Sequence, residues 1–196
     1  MRLYPACLIL LLSGPAVAQS FETFIDREQF FSVALPGKPT IENIQYEHLD
    51  GEMMPARRYS AQRGDGRFVV TVVDMTGLDN VSRVRGSIAH ETWNIRKRVR
   101  ARGGEIIYDA YSQISRIEGH QIQATYPDNS ASSWQLLVRD KRLYIQEATL
   151  PPGAPPPGVF LASLWILDKD GNLRRPEIDF NGQYVDDATV PPESEN

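Results

Sequence analysis

Hydrophobic periodicity changes twice along this chain, and the two changes confine what it can fold into. Phe31-Ser-Val33-Ala-Leu35, Ile41 to Leu49, Ala56 to Gln62 and Arg67 to Met75 read as strands. Val81, Val84, Ile88, Thr92, Ile95 and Val99 then recur at helical spacing, with Asp79 or Asn80 as the cap and Gly103-Gly104 as the stop. Beyond those glycines the strand signal returns in a meander: Ile106 to Arg116, Gln121 to Tyr126, Trp134 to Arg139 and Arg142 to Thr149. A period of two buries one face of a strand, and a spacing of three and four buries one stripe of a helix. The pattern predicts an α+β domain with one antiparallel sheet and a helix of about Asn80 to Arg102 packed on one face. Val81, Val84, Ile88, Ile95 and Val99 are the expected buried stripe, with Arg96, Lys97 and Arg98 outward.

Turn chemistry divides the strands. Pro36-Gly37-Lys38-Pro39 breaks both helix and strand, and Asp50-Gly51 closes the strand that begins at Ile41. Arg63-Gly64-Asp65-Gly66 makes a hairpin, and Glu118-Gly119, Pro127-Asp128-Asn129 and Asp140-Lys141 are the expected turns of the meander. Phe68-Val69-Val70-Thr71-Val72-Val73 is apolar on both faces, which predicts a central strand. Gln19 to Gln29 reads as a short helix or an extended arm, Pro151 to Gly158 as a proline-rich connection, and Phe160 to Leu167 as a last helix.

The first 18 residues have a different character. Arg2 gives a basic start, Leu8-Ile9-Leu10-Leu11-Leu12 an apolar centre, and Ala16-Val17-Ala18 a small-residue cleavage site. That is the pattern of a secretory signal, removed near Ala18, so the mature protein is expected in the periplasm or outside the cell. The expected organisation is a signal peptide over 1–18, one domain over 19–184 and a disordered acidic tail over 185–196. No segment is apolar for long enough to predict a transmembrane span. The only cysteine is Cys7, ahead of the apolar run. The remainder therefore has no disulfide, no thiol nucleophile and no thiolate metal site, and its stability must come from packing. The net charge of −4 gives no general attraction to nucleic acid.

Several pieces occur in one order: Phe31-Ser-Val-Ala-Leu-Pro-Gly-Lys-Pro39, the strand ending in Val72-Val73-Asp74, the long helix, Arg142-Leu-Tyr144, and Phe160-Leu-Ala-Ser-Leu164. Over roughly Phe21 to Leu167 the chain resembles the PsbP-like group of exported bacterial domains. That group shares its fold with the extrinsic PsbP protein of photosystem II and with a small nuclear-import factor. The resemblance implies an antiparallel sheet sandwiched by helices. It carries no catalytic residue onto this sequence, and the bacterial members are not known as enzymes.

Four patterns could carry chemistry. His90-Glu91-Thr92-Trp93-Asn94 is one residue short of H-E-x-x-H, in which imidazoles at i and i+4 hold zinc and the glutamate activates water. Asn94 is a poor ligand, only His48 and His120 remain to be recruited, and a solvated helix face explains the pattern. Ile166 to Glu177 can be laid on a calcium-binding EF-hand loop, with Asp168, Asp170 and Glu177 as ligands. Ile166 stands where the first acid belongs and Pro176 blocks an exiting helix, so a plain turn at Asp170-Gly171 is the competing reading. Arg96, Lys97, Arg98, Arg100 and Arg102 crowd a helix end, where cations complement the dipole. With Arg83 and Arg85 they make one side electropositive. Export argues against nucleic acid and favours an anionic envelope polymer, a lipid headgroup or an acidic protein surface; a solvated helix face competes. Tyr108, Tyr111, Tyr126, Trp134 and Tyr144 line a cleft or fill the core. Arg63-Gly64-Asp65 is an adhesion tripeptide that the hairpin explains on its own.

The expected function is a non-catalytic exported binding or accessory domain, working through the basic helix or the open edge of the sheet and needing no cofactor. The alternative is a calcium-binding or metal-dependent envelope protein using the loop from Asp168 to Glu177.

Overall fold

The computed structural model describes residues 20–78, 81–172, 177–178 and 184–185, without the side chains of 81–85, 177–178 and 184–185. The segment read as a secretory signal, the caps Asp79 and Asn80, the side chains of Val81, Arg83, Val84 and Arg85, and the tail beyond Val185 lie outside the described residues.

The strands are β1 (Glu22–Asp26), β2 (Phe31–Leu35), β3 (Thr40–Glu47), β4 (Met53–Arg63) and β5 (Gly66–Asp74). The helix α1 (Val81–Ala101) follows. Then come β6 (Glu105–Ile114), β7 (Ile117–Thr125), β8 (Ala131–Arg139), β9 (Arg142–Leu150), the one-turn α2 (Gly158–Leu161) and β10 (Trp165–Ile166). Two short strands, β11 (Glu177–Ile178) and β12 (Tyr184–Val185), pair with each other. Strands β3 to β9 form one seven-stranded antiparallel sheet in the order β3-β4-β5-β9-β8-β7-β6. As its apolar run predicts, β5 is interior, flanked by β4 and β9. Among the described residues, β3 and β6 are the open edges.

Each face of this sheet has its own core. On one face, Ile95 and Val99 of α1 are fully buried against Met54, Val73, Ile122, Trp134, Leu136, Leu143 and Ile145. Ile88 is only half-buried at the margin of that core, in place of the full burial its spacing predicts. The helix lies over β6, β7 and β8, and Ile88, about two turns before Ile95, packs among the partly buried side chains at the rim with Ile44 and Tyr46. On the other face, Phe31, Val33 and Leu35 of β2 pack with Tyr59, Phe68, Val70, Val72, Tyr144 and Phe160.

That second face departs from the arrangement of helices on both sides. It is covered by a separate three-stranded sheet, β1-β2-β10, with α2 beside it. The segment read as a last helix supplies one turn and then becomes strand. Trp165 pairs with Ser32 and Ile166 with Phe31, so the backbone there is extended. The segment before β2 is the extended arm, with Glu22 to Asp26 paired along Leu35 to Phe31.

One turn also differs. β6 and β7 join at Ser115-Arg116, with φ of 50° and 66°, rather than at Glu118-Gly119. Two positive φ values are what a tight hairpin loop between right-twisted strands requires. Ser115 is held there by a hydrogen bond from its hydroxyl to the Leu164 carbonyl. Gly119 instead sits inside β7, opposite Ser112 and Leu137. A Cβ there would collide with the Leu136 carbonyl and the Ile114 side chain.

Candidate functional site

Helix α1 has two flanks, and the structure divides the basic run between them. With Ile95 inward, a step of 100° per residue turns Arg96 and Arg100 toward the β6 side and points Trp93 and Lys97 nearly straight away from the sheet. Arg96 fixes that flank: its Nε donates to Asp109 Oδ2 on β6 at 2.7 Å. The other Asp109 oxygen lies 2.6 Å from His120 Nε2 on β7. The backbone of Asp109 is on the open edge, but its carboxylate is only 21% exposed. The Arg96 hydrogen bond holds its carboxyl below the usual carboxylate range; burial opposes this, and the bond with His120 adds to it.

Arg98 belongs to the opposite flank. Its Nη2 donates to Glu91 Oε1 at 2.8 Å, and Glu91 also accepts from the Tyr46 hydroxyl at 2.9 Å. Burial, then the charge of Glu91, push the Tyr46 hydroxyl up. Lys97 Nζ rides 3.9 Å above the Trp93 ring, and Arg102 Cζ 3.8 Å above the Tyr126 ring. Arg100 is exposed and makes no ion pair among the described residues. The five cations therefore do not form one patch. Arg96 and Arg98 are committed to carboxylates on different flanks, and Arg102 caps a core tyrosine. Lys97 and Arg100 remain outward, with Arg100 the nearer of the two to the β6 side.

Beside them the surface is aromatic and apolar. Trp93 is 53% exposed, Ile107 58% and Tyr111 85%. Tyr111 packs edge-on against His120, with ring centroids 4.9 Å apart. The pairing of β6 with β7 shifts between Ile106 and Tyr108, a bulge that brings Ile107 out of register. Of the five aromatics in the meander, Tyr126, Trp134 and Tyr144 are core, and only Tyr108 and Tyr111 reach solvent.

The remaining motifs resolve into structural roles. Asn94 Nδ2 lies 3.0 Å from His90 Nε2, and Glu91 is turned inward to Tyr46 and Arg98. The fold does bring His48 to this helix, with its ring centroid 6.3 Å from that of His90. Its Nε2 is 2.8 Å from Ser87 Oγ, and its Nδ1 is 3.9 Å from Asp50 Oδ2. This hydroxyl, imidazole and carboxylate succession is not visible in the sequence, since its members come from two elements. Ser87 is fully buried, so no acyl group can reach it as a nucleophile would require. In the calcium-like loop, Asp168 Oδ1 accepts the backbone N–H groups of Asp170 and Asn172, both at 2.8 Å. The Asn172 N–H, with smaller help from Asp170 and Gly171, holds the Asp168 carboxyl below its ordinary range. The Glu177 side chain lies outside the described residues. Among the described residues, no three His, Cys, Asp or Glu side chains converge to hold a metal. Arg63 and Gly66 pair across the two-residue loop Gly64-Asp65, and Arg63 lies over the Phe21 ring at 5.6 Å. No described helix is long and apolar enough to cross a membrane.

No protein-family model matches the chain, and no curated protein matches it. Among solved structures, it is similar to the solution structure of cyanobacterial PsbP (CyanoP) from Synechocystis sp. PCC 6803. The similarity covers 72% of this chain and 86% of that chain, with 10% identity and a TM-score of 0.46.

Proposed function

We propose that this chain is a non-catalytic, exported binding domain that engages an acidic protein segment along the β6 edge. The observation that carries the reading is a coincidence of place. Lys97 and Arg100, the two cations of the basic run left outward, stand on the exposed side of α1, with Arg100 turned toward a sheet edge that exposes Ile107 and Tyr111. An edge strand offers backbone hydrogen bonds to an added strand, and flanking side chains supply selectivity. A uniformly charged polysaccharide would use the cations and leave the edge and its apolar side chains idle. An extended protein segment with alternating acidic and apolar residues would use all three. The signal pattern of the first 18 residues supports action outside the cytoplasm.

The probe is a fluorescently labelled eight-residue peptide of alternating Glu and Val, read by anisotropy. We expect saturable binding that weakens as salt rises from about 0.05 M to about 0.5 M. The double variant Lys97→Glu, Arg100→Glu should bind about tenfold more weakly with an unchanged melting temperature. Equal binding by the double variant, or tighter binding to heparin than to the peptide, would overturn the reading.

A further inference from the structure

On the sheet face away from α1, the small sheet and α2 cover β4, β5 and β9 and leave part of β6, β7 and β8 open. At the boundary lies a cleft of about 300 Å³ between these strands and α2. Gln113, Gln121 and Gln135 line it from the strands, and Gly158, Leu161 and Ala162 from the helix side. No charged side chain lies in its lining. The volume is at the low end for small-molecule sites, about 300–1,000 Å³.

The register shows how the amides come together. Gln121 lies opposite Gln135, and Gln135 opposite Gln146, so three glutamines form a row across β7, β8 and β9. Gln146 is fully buried, and its Nε2 donates to the Phe160 carbonyl of α2 at 2.6 Å. That bond ties the wall of the cleft to the sheet. Gln135 is 8% exposed, and its Oε1 has no hydrogen-bond partner. A buried acceptor without a donor is costly, so a side chain held this way at the wall of a cleft favours a ligand whose entry lets it accept a hydrogen bond. One strand outward, Tyr108 is in step with Ile114 of the same core, so it stands on the same sheet face, and it is exposed.

We propose that this cleft binds one unit of a neutral saccharide. Carboxamides both donate and accept, which is the complement of neighbouring sugar hydroxyls. The lining has no cation to compensate an anion and no carboxylate to compensate an amine. A wholly apolar ligand would leave Gln135 Oε1 unsatisfied. Leu161 and Ala162 offer an apolar wall for the C–H face of a pyranose ring, and Tyr108 offers a ring for a following unit. The site is on the opposite sheet face from the acidic-segment surface and is independent of it.

The test titrates isotope-labelled protein with maltotriose, cellotriose and tri-N-acetylchitotriose, each to about 10 mM, where a weak site with an affinity near −4 kcal/mol saturates. We expect at least one to shift the side-chain amide signals of Gln121 and Gln135 and the backbone signals of Leu161 and Ala162, saturably. Gln135→Leu, which keeps the volume and removes the acceptor, should weaken that binding about tenfold or more. Ala162→Phe, which fills the cleft from the helix side, should do the same. The pair Lys97→Glu, Arg100→Glu should leave the sugar titration unchanged, so failure here is separable from failure of the peptide reading. No saturable shift with any of the three sugars, or an unchanged affinity in both cleft variants, would overturn the proposal.

Discussion

At the scale of single residues, the β6–β7 hairpin places its glycine in a strand and its turn at two side-chain-bearing residues. Gly119 follows Glu118 in a pattern that reads as a turn, yet it lies within β7. The reason is proximity: the Leu136 carbonyl and the Ile114 side chain occupy the place of a Cβ. Ser115 and Arg116, which carry no turn signature, take the left-handed conformation instead. Local turn preference amounts to about 1 kcal/mol, and here packing around a fixed register outweighs it. Gly119→Ala should therefore destabilise by about 1–3 kcal/mol in urea unfolding, as overpacking does; a neutral effect would mean the close approach is relieved in solution. Asp109 supplies a second test. Its carboxyl is held below the ordinary range in the folded state, so it contributes stability above the unfolded carboxylate pKa. That contribution is lost as pH falls through the lowered folded value. Asp109→Asn should flatten the acid limb of a stability–pH profile, and an acid limb as steep as in the unaltered protein would count against the pairing.

Elements were legible in proportion to their length. The periodic run from Val81 to Val99 was long enough to fix α1, the strand around Phe31 followed from alternation, and the one around Val69 followed from a run apolar on both faces. β10 was not legible, because Trp165 and Ile166 are two residues and two residues have no period. The candidate surface was legible in part. The sequence shows five cations near the end of α1, but only the direction of Ile95 decides which flank each one takes. The Asp109 partner comes from β6, thirteen residues from Arg96. The glutamine row could not be seen at all, since Gln121, Gln135 and Gln146 become neighbours only through strand register. Helix direction is testable at two positions. Ile95→Ala should cost about 2–5 kcal/mol in chemical denaturation, and Ile88→Ala clearly less, because Ile88 is already half-exposed to water. Equal costs would mean that α1 is rotated from the orientation described.

For the whole molecule, the antiparallel layout was readable and the covering of the second face was not. Hairpin-linked strands without intervening helices can pair only antiparallel with their neighbours. Which layer lies on the far face depends on Phe31 and Ile166 meeting from opposite ends of the chain. Neither local propensity nor periodicity carries that information, and the extended arm before β2 could equally be read as helix. The result is a sheet with a helix on one side, a smaller sheet on the other, and working surfaces proposed at an edge and at the open part of a face.

Strand β5 gives Val70 and Val72 to one core and Val73 to the other; its neighbour β9 gives Tyr144 and Ala148 to one and Leu143 and Ile145 to the other. Neither core can melt without removing one wall of the other. The two layers are therefore parts of one cooperative unit, although they share no covering element. Backbone amides that bridge β5 and β9 should exchange with deuterium only when the entire domain opens, at a free energy equal to that of global unfolding. Amides on β6, at the rim, should exchange through smaller openings at lower cost. Exchange of β5 at the rate of β6 would mean that the layers come apart separately. With the middle closed, a partner at either proposed surface, the rim or the open face, could shift that surface locally without beginning to unfold the domain.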